Sequence, residues 1–264
     1  MNESMIEDSV KRLFAQEVDK GLIEQAERGE MPQRLWQLVQ DNGFTALLAR
    51  EADGGIEADW ETAFPLLTGL GYHQVPLPVA ETAIASFLLS AAKVAVDIGH
   101  APIALVDETQ AQALQVSGSG AGLRLSGTVQ AVPWARWSAH VLVGLPTGEL
   151  ALLKTADATL TPATNPSRMP ADELQLNQVA PVAVWANPLP NLQRPVRTLG
   201  AAARAAMMVG AIEFALDQAV QYAMDRVQFG KPIGKNQAIQ QQLAQLAGEF
   251  ASARVTALVA CRDL

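Results

Sequence analysis

Apolar residues recur at helical spacing through the first part of the chain. Leu35, Leu38 and Val39 lie on one face of a predicted helix, and Ile84 and Leu88 lie on one face of another. Asn-Gly and Asp-Gly-Gly segments, with two prolines before the second helix, mark the turns between these helices. The pattern therefore predicts a helical N-terminal domain.

The pattern then changes to short, β-rich runs that are separated by Gly, Pro, Ser and Thr. Four such runs are Ile103–Val106, Leu123–Val129, Val141–Gly144 and Leu150–Lys154. The Gly-rich stretch Ser117–Gly122 resembles part of a phosphate-binding loop, but strand alternation follows it. A phosphate-binding loop needs a helix N-terminus at that point, so we interpret the stretch as a hairpin turn.

Helical spacing returns after the proline-rich segment Asn187–Pro195, which we interpret as a linker. Ala201–Asp225 carries an apolar stripe at spacings of three and four, and a second stripe runs from Ile239 to Ala257. The spacing predicts a long buried helix over Ala201–Asp225 and a second helix antiparallel to it, joined by a tight loop at Phe229–Pro232. We assign residues 1–99 to an N-terminal helical domain, 100–193 to a middle β-domain and 194–264 to a C-terminal helical domain.

Composition excludes several classes of function. Hydrophobic residues make up 49% of the 264 residues and charged residues 17%, which is typical of a folded chain. The net charge of -8 argues against binding to nucleic acid or to an anionic membrane. A lone cysteine, Cys261, indicates a reducing compartment, and three scattered histidines offer no metal site. We find no export signal and no uninterrupted apolar run, so we predict a cytoplasmic protein without a membrane span.

One segment carries a specific motif. Arg226-x-Gln228-Phe229-Gly-x-Pro-Ile, followed by Gln237-x-x-Gln240, resembles the C-terminal domain of the acyl-CoA dehydrogenase family. Earlier in the chain, Glu51-Ala-Asp-Gly-Gly also resembles a turn of that family. The resemblance implies an α+β fold with an N-terminal helical domain, a middle antiparallel β-barrel or sandwich and a C-terminal helical bundle. Only the first two long helices of that bundle are expected here, so the bundle is incomplete.

The motif has a chemical rationale. Arg226 offers a planar, permanently charged donor fork that suits a pyrophosphate, Gln228 adds a donor and an acceptor, and Phe229 offers a flat apolar face. The resemblance implies that these residues, with Gln237, reach across a subunit interface to FAD held by a neighbouring chain. In the alternative interpretation, Arg226 interacts with the last carbonyl groups of its own helix and Phe229 fills the corner between the two helices.

The middle domain departs from the family pattern. The family's flavin-contacting strand, Leu-x-Gly-x-Lys-x-Trp-Ile-Ser/Thr, aligns with residues 125–133, which places Ala131 at the Trp and Pro133 at the hydroxyl residue. Proline has no hydrogen-bond donor to offer a flavin. We interpret the nearby Trp134 and Trp137 as packed aromatic residues and not as flavin-stacking ones.

No catalytic residue is assigned. The family's reaction needs a carboxylate base, usually a Glu beyond the second C-terminal helix or near the start of the first, and Thr198–Ala206 contains none. We interpret Glu213 and Glu249 as polar-face residues or helix-pair partners. No metal site is predicted.

The resemblance therefore predicts an oxidoreductase component for α,β-dehydrogenation of an acyl-CoA thioester with FAD. The chain is similar to the smaller subunits of heteromeric acyl-CoA dehydrogenases of fatty acid or sterol side-chain degradation. A partner chain would supply the Glu base, the chain alone would be inactive, and an electron-transfer flavoprotein would accept the electrons. The alternatives are a C-terminally truncated homo-oligomeric acyl-CoA dehydrogenase and a non-catalytic assembly subunit.

Overall fold

The computed structural model describes residues 3–264, without the side chains of Glu3 and Ala121. Helices account for most of its first third, as the sequence predicts. They are α1 (Glu3–Glu17), α2 (Lys20–Glu27), α3 (Gln33–Asp41), α4 (Trp60–Tyr72) and α5 (Val79–Ala91). Aspartates begin two of them: Asp19 accepts a hydrogen bond from Leu22 N at 2.8 Å, and Asp59 accepts one from Thr62 N at 2.7 Å. Each carboxylate satisfies an N–H group that the first helical turn leaves unpaired.

The middle of the chain forms two four-stranded sheets. Their strands are β1 (Ile103–Val106), β2 (Leu114–Ser117), β3 (Arg124–Pro133), β4 (His140–Gly144), β5 (Glu149–Lys154), β6 (Thr159–Thr161), β7 (Ala171–Val179) and β8 (Ala183–Ala186). The strand orders are β1-β4-β5-β8 and β2-β3-β7-β6. The pairs are antiparallel, as predicted, except that β1 and β4 run parallel.

The two sheets share one apolar core, so the β region is a sandwich. Val106 and Val143 of the first sheet belong to the same buried cluster as Leu125 and Leu174 of the second. The Gly-rich stretch lies between β2 and β3, which pair antiparallel from Ser117 opposite Arg124. Its interpretation as a hairpin connection is therefore confirmed.

The last part of the chain is dominated by α6 (Pro195–Asp225) and α7 (Gln237–Arg262). Proline suits the first position of α6, because it lacks an N–H group and an N–H group at this position would have no partner within the helix. The two helices run antiparallel, with Arg254 Nη1 of α7 3.9 Å from Glu213 Oε2 of α6. This contact confirms that Glu213 is a helix-pair partner, and the predicted helix pair is present.

The chain folds into two compact units. Unit 1 contains α1, α4, α7 and α6 from Ala202 onward, and unit 2 contains α2, α3, α5, both sheets and the first turns of α6. Within unit 1, α4 contacts each of the other helices. Gly69 lies against Val10 of α1, Gly71 lies against the Met207 carbonyl of α6, and the Phe64 ring lies 5.6 Å from the Arg254 guanidinium of α7.

The predicted burial of the α6 stripe is wrong for most of its length. Ala223 is buried, but Met208 is 65% exposed and Ile212 and Leu216 are only partly covered. The face that packs on α4 is instead made of small residues such as Gly210, which touches the carbonyl oxygen of Thr68. Close helix approach favours small side chains, so the large apolar ones point elsewhere.

Large apolar side chains are consequently exposed on both long helices. They are Met208, Val220, Tyr222 and Met224 on α6 and Val255 and Val259 on α7. Within the described part of the chain, α6 has the length and apolar composition of a membrane-crossing helix. Core helices of soluble proteins share these properties. The absence of a membrane span and the cytoplasmic location therefore remain predictions.

Candidate functional site

The loop between α6 and α7 is an ordered hairpin. Strands β9 (Val227–Gln228) and β10 (Lys231–Pro232) pair antiparallel across a turn at Phe229 and Gly230. Both turn residues have positive φ, 53° and 76°, as a two-residue hairpin turn requires. Glycine adopts this conformation freely, whereas a bulky residue such as phenylalanine rarely does. We call residues 226–235 the arm.

The base of the arm is fixed by hydrogen bonds. Ile233 N donates to Arg226 O at 2.9 Å, which closes the hairpin at its root. Asn236 N donates to Ile233 O at 2.9 Å, and the Asn236 side chain accepts from Ala238 N at 3.0 Å to begin α7. From within α7, Gln240 Nε2 donates to Gly234 O at 3.0 Å. The arm is thus tied to the helix that follows it.

The structure brings the four predicted cofactor-binding residues together at one end of the helix pair. Arg226, Gln228 and Phe229 lie on the arm, Gln237 is the first residue of α7, and all four are exposed. The Phe229 side chain is 100% exposed. The alternative in which Phe229 fills the corner between the helices is therefore wrong. This end of the pair presents a guanidinium, two amides and a phenyl ring to the outside.

The strand that aligns with the family's flavin-contacting strand is interrupted by a bulge. Val129 pairs with Leu174 and Val132 with Asp172, so β3 advances three residues while β7 advances two. Ala131 has a φ of 55° inside this bulge. The extra residue shifts the side chains that follow it to the opposite face of the sheet, which regular alternation along residues 125–133 does not reveal.

The tryptophans after this strand are engaged by packing and hydrogen bonds. Trp134 is 7% exposed, and its Nε1 donates to Glu81 Oε1 of α5 at 3.0 Å. The Trp137 ring lies 5.4 Å from the Trp134 ring, and Trp137 Nε1 donates to Gly29 O at 3.3 Å. Their interpretation as packed aromatic residues is confirmed.

Glu108 lies buried at the start of α6 and is only 6% exposed. Its Oε1 accepts from Val196 N and its Oε2 from Arg197 N, both at 3.0 Å. Inspection of residues 198–206 missed this carboxylate because it comes from a different part of the sequence. Both oxygens are occupied by backbone donors, so Glu108 acts as a helix cap.

The other buried acidic groups are also engaged. Asp172, with 0% exposure, accepts from Arg136 N at 2.8 Å, Arg136 Nε at 2.9 Å and Ala163 N at 3.1 Å. On the surface, Glu249 accepts from Gln245 Nε2 one helical turn away at 2.9 Å, as expected of a polar-face residue. Among the described residues, no group of three or more His, Cys, Asp or Glu side chains is arranged to hold a metal ion.

Unit 1 contains a pocket of about 390 Å³ beside α1 and α4. In it, the Tyr72 hydroxyl donates to Asp217 Oδ2 at 2.8 Å, and this bond raises the pKa of the phenol. His73 is half-buried next to Tyr72, and burial, with a smaller effect of Lys11, lowers the pKa of its imidazole. Elsewhere, burial raises the pKa of the Cys261 thiol to about 11, so this cysteine is a packed thiol and not a nucleophile.

Comparison with known proteins relates both ends of the chain to one family. Residues 1–93 match the family model described as acyl-CoA dehydrogenase, N-terminal domain, and residues 198–264 match the one described as acyl-CoA dehydrogenase, C-terminal domain. The acyl-CoA dehydrogenase IpdE2 of Mycobacterium tuberculosis is 28% identical over 262 residues, which are 97% of this chain and 74% of that protein. Its namesake in Mycolicibacterium smegmatis is 29% identical over 224 residues, 83% of this chain and 63% of that protein.

Solved structures agree with these matches. A variant of the Tcur3481-Tcur3483 steroid ACAD superposes with a TM-score of 0.86 at 26% identity, over 99% of this chain and 78% of the solved one. The apo form of PigA superposes with a TM-score of 0.78 at 17% identity, over 98% of this chain and 77% of the solved one. The predicted arrangement of helices, β-sandwich and helices is confirmed by these superpositions.

Proposed function

Because the chain belongs to the acyl-CoA dehydrogenase family, we propose that it is one subunit of an FAD-containing assembly that dehydrogenates an acyl-CoA thioester between its α and β carbons. The observation that carries this proposal is the arm, which is hydrogen-bonded at its base and fully exposed at its tip. An exposed phenyl ring at positive φ is unfavourable in an isolated chain, and a ligand that covers the ring offsets that cost.

The exposed side chains of the arm and of Gln237 fit the parts of FAD. In the proposed assembly a neighbouring chain holds the cofactor, Arg226 and Gln228 donate hydrogen bonds to its phosphate oxygens, and Phe229 covers an aromatic ring. Gln237 lies at the N-terminus of α7, where the helix dipole favours an anion. A bound FAD would supply the hydride acceptor for this dehydrogenation. This chain's residues bind and orient the cofactor.

The β-sandwich of this chain is a poor flavin cradle. Pro133 has no N–H group, and the Trp134 indole N–H is already donated to Glu81. The buried carboxylates Glu108 and Asp172 are each held by backbone donors. We therefore assign the catalytic base to a Glu of the partner chain and expect this chain alone to be inactive.

The partner is expected to be a second acyl-CoA dehydrogenase-like chain. The double designation of the similar solved protein, the Tcur3481-Tcur3483 steroid ACAD, supports an assembly of unlike chains, and the word steroid supports a sterol-derived thioester. The proposed substrate is a fatty acyl or sterol side-chain thioester. An electron-transfer flavoprotein is the proposed electron acceptor, and the cytoplasm is the proposed compartment.

Co-expression with a candidate partner chain tests the proposal. The purified complex is expected to show the flavin absorption band, the Arg226→Ala complex to lose most of it, and the Arg194→Ala complex to keep it. Arg194 is a suitable control because it is an exposed arginine outside the arm. If the flavin content of the complex does not change in Arg226→Ala, the chain is instead an assembly subunit. FAD binding and turnover by this chain alone would indicate a homo-oligomeric dehydrogenase.

A further inference from the structure

The arm is a short structure with little to hold it. Its hairpin has two residue pairs, and two-stranded hairpins of this kind are marginally stable in water. The tip is exposed, so packing does not fix its direction. The tethers at its base therefore decide how well defined the arm is before any ligand binds.

Among these tethers, the contact from Gln240 differs from the others. The bonds from Ile233 N and Asn236 N join backbone groups of the arm and its end, whereas the Gln240 amide is a side chain that reaches back from the first turn of α7 to Gly234 O. Gly234 also approaches α6, since a side-chain carbon placed on it would lie 3.0 Å from Ala223 O. Gln240 thus connects α7 to the point where the returning arm passes the end of α6.

We propose that Gln240 is a positioning residue: it holds the arm so that Arg226, Gln228 and Phe229 are oriented to bind FAD. The inference rests on the function proposed above and extends it to a residue that does not need to touch the cofactor. A loosely held arm is competent for only part of the time, and the apparent dissociation constant rises in inverse proportion to the competent fraction. Loss of one ordinary hydrogen bond corresponds to a weakening of about 3- to 10-fold.

Three substitutions at position 240 distinguish the loss of the hydrogen bond to Gly234 from a change in side-chain size. Gln240→Ala removes the donor. Gln240→Glu keeps the size but places an acceptor opposite the carbonyl oxygen of Gly234. Gln240→Lys restores a donor on a flexible side chain. Gln241→Ala is the matched control, because Gln241 is an exposed residue of the same type one position further along α7.

The first measurement is hydrogen exchange of residues 226–236 in the chain alone. We expect faster exchange in Gln240→Ala and Gln240→Glu, and near-normal exchange in Gln240→Lys and Gln241→Ala, with exchange in α1 and α4 unchanged. The second is FAD affinity of the complex with its partner, which should fall about 3- to 10-fold in the Ala and Glu variants. A merely structural residue would change stability without this selective loosening and rescue.

The two measurements test different parts of the proposal. Unchanged exchange of the arm in Gln240→Ala overturns the positioning role, whether or not the complex binds FAD. A wild-type complex without flavin overturns the proposed function, and the exchange result alone then decides whether Gln240 orders the arm. Faster exchange with unchanged FAD affinity overturns the link between arm order and cofactor binding.

Discussion

Glu108 should control the stability of the first turn of α6. Its carboxylate accepts N–H groups from Val196 and Arg197 at 3.0 Å in a site that is 6% exposed. Hydrogen bonds to a charged acceptor contribute about 1.5–3 kcal/mol each, and the negative charge also interacts favourably with the helix dipole. Glu108→Gln keeps one acceptor but loses the charge and turns an amide donor toward the second N–H group. We expect a loss of about 2 kcal/mol in the free energy of unfolding, and about 3 kcal/mol for Glu108→Ala.

Urea denaturation gives the change in the free energy of unfolding, and hydrogen exchange at Val196 and Arg197 shows whether the loss is local. Glu249→Gln is the control, because that carboxylate is exposed on α7 and its loss should change stability by less than about 0.5 kcal/mol. If Glu108→Gln costs no more than this control, or if exchange at the two amides does not accelerate, the capping role of Glu108 is refuted.

Three further predictions concern unfolding measured by urea or heat. Asp172→Asn weakens the buried contact with Arg136 and should cost about 3–5 kcal/mol; a loss below about 1 kcal/mol contradicts the assignment. Gly71→Ala places a carbon on the Met207 carbonyl and should cost more than about 3 kcal/mol, whereas Gly248→Ala, with free space inside α7, should be stabilising by up to about 1 kcal/mol; equal effects would contradict the close helix contact. The pKa of His73 is lower in the folded chain than its ordinary value of 6.5, so below that pH the unfolded chain binds more protons than the folded chain. The free energy of unfolding should therefore decrease as the pH falls below about 6.5. His73→Gln should flatten this pH dependence, and an unchanged slope would show that other groups cause it.

The sequence predicts the parts of the fold that rest on local patterns. The order of helices, sandwich and helices, the hairpin connection before Arg124 and the α6–α7 pair are all recognisable from spacing and turn residues. The exposed arm is also predictable, because its motif is contiguous. Local patterns work here because the residues that determine each feature are neighbours in the chain.

Other features depend on residues that are far apart in the chain. The bulge at Ala131 depends on pairing between β3 and β7, and the cap of α6 comes from Glu108, 88 residues before Val196. Burial along α6 differs from the predicted pattern for a related reason. A periodic stripe indicates which residues share a face, but the small residues around Gly210 decide which face another helix can approach.

Unit 1 is assembled from three separate stretches of the chain, and this order matters during synthesis. Helices α1 and α4 leave the ribosome early, yet their partners α6 and α7 are made only after the whole sandwich. Unit 2 includes the two sheets and depends on residues up to Ala201, so it can begin to fold sooner. Until α6 and α7 emerge, the faces of α4 that contact them stay uncovered, and exposed apolar surface of this kind promotes aggregation. Ribosome pausing or chaperone binding during synthesis of residues 195–262 should therefore influence the yield of folded protein more than the same event within the sandwich.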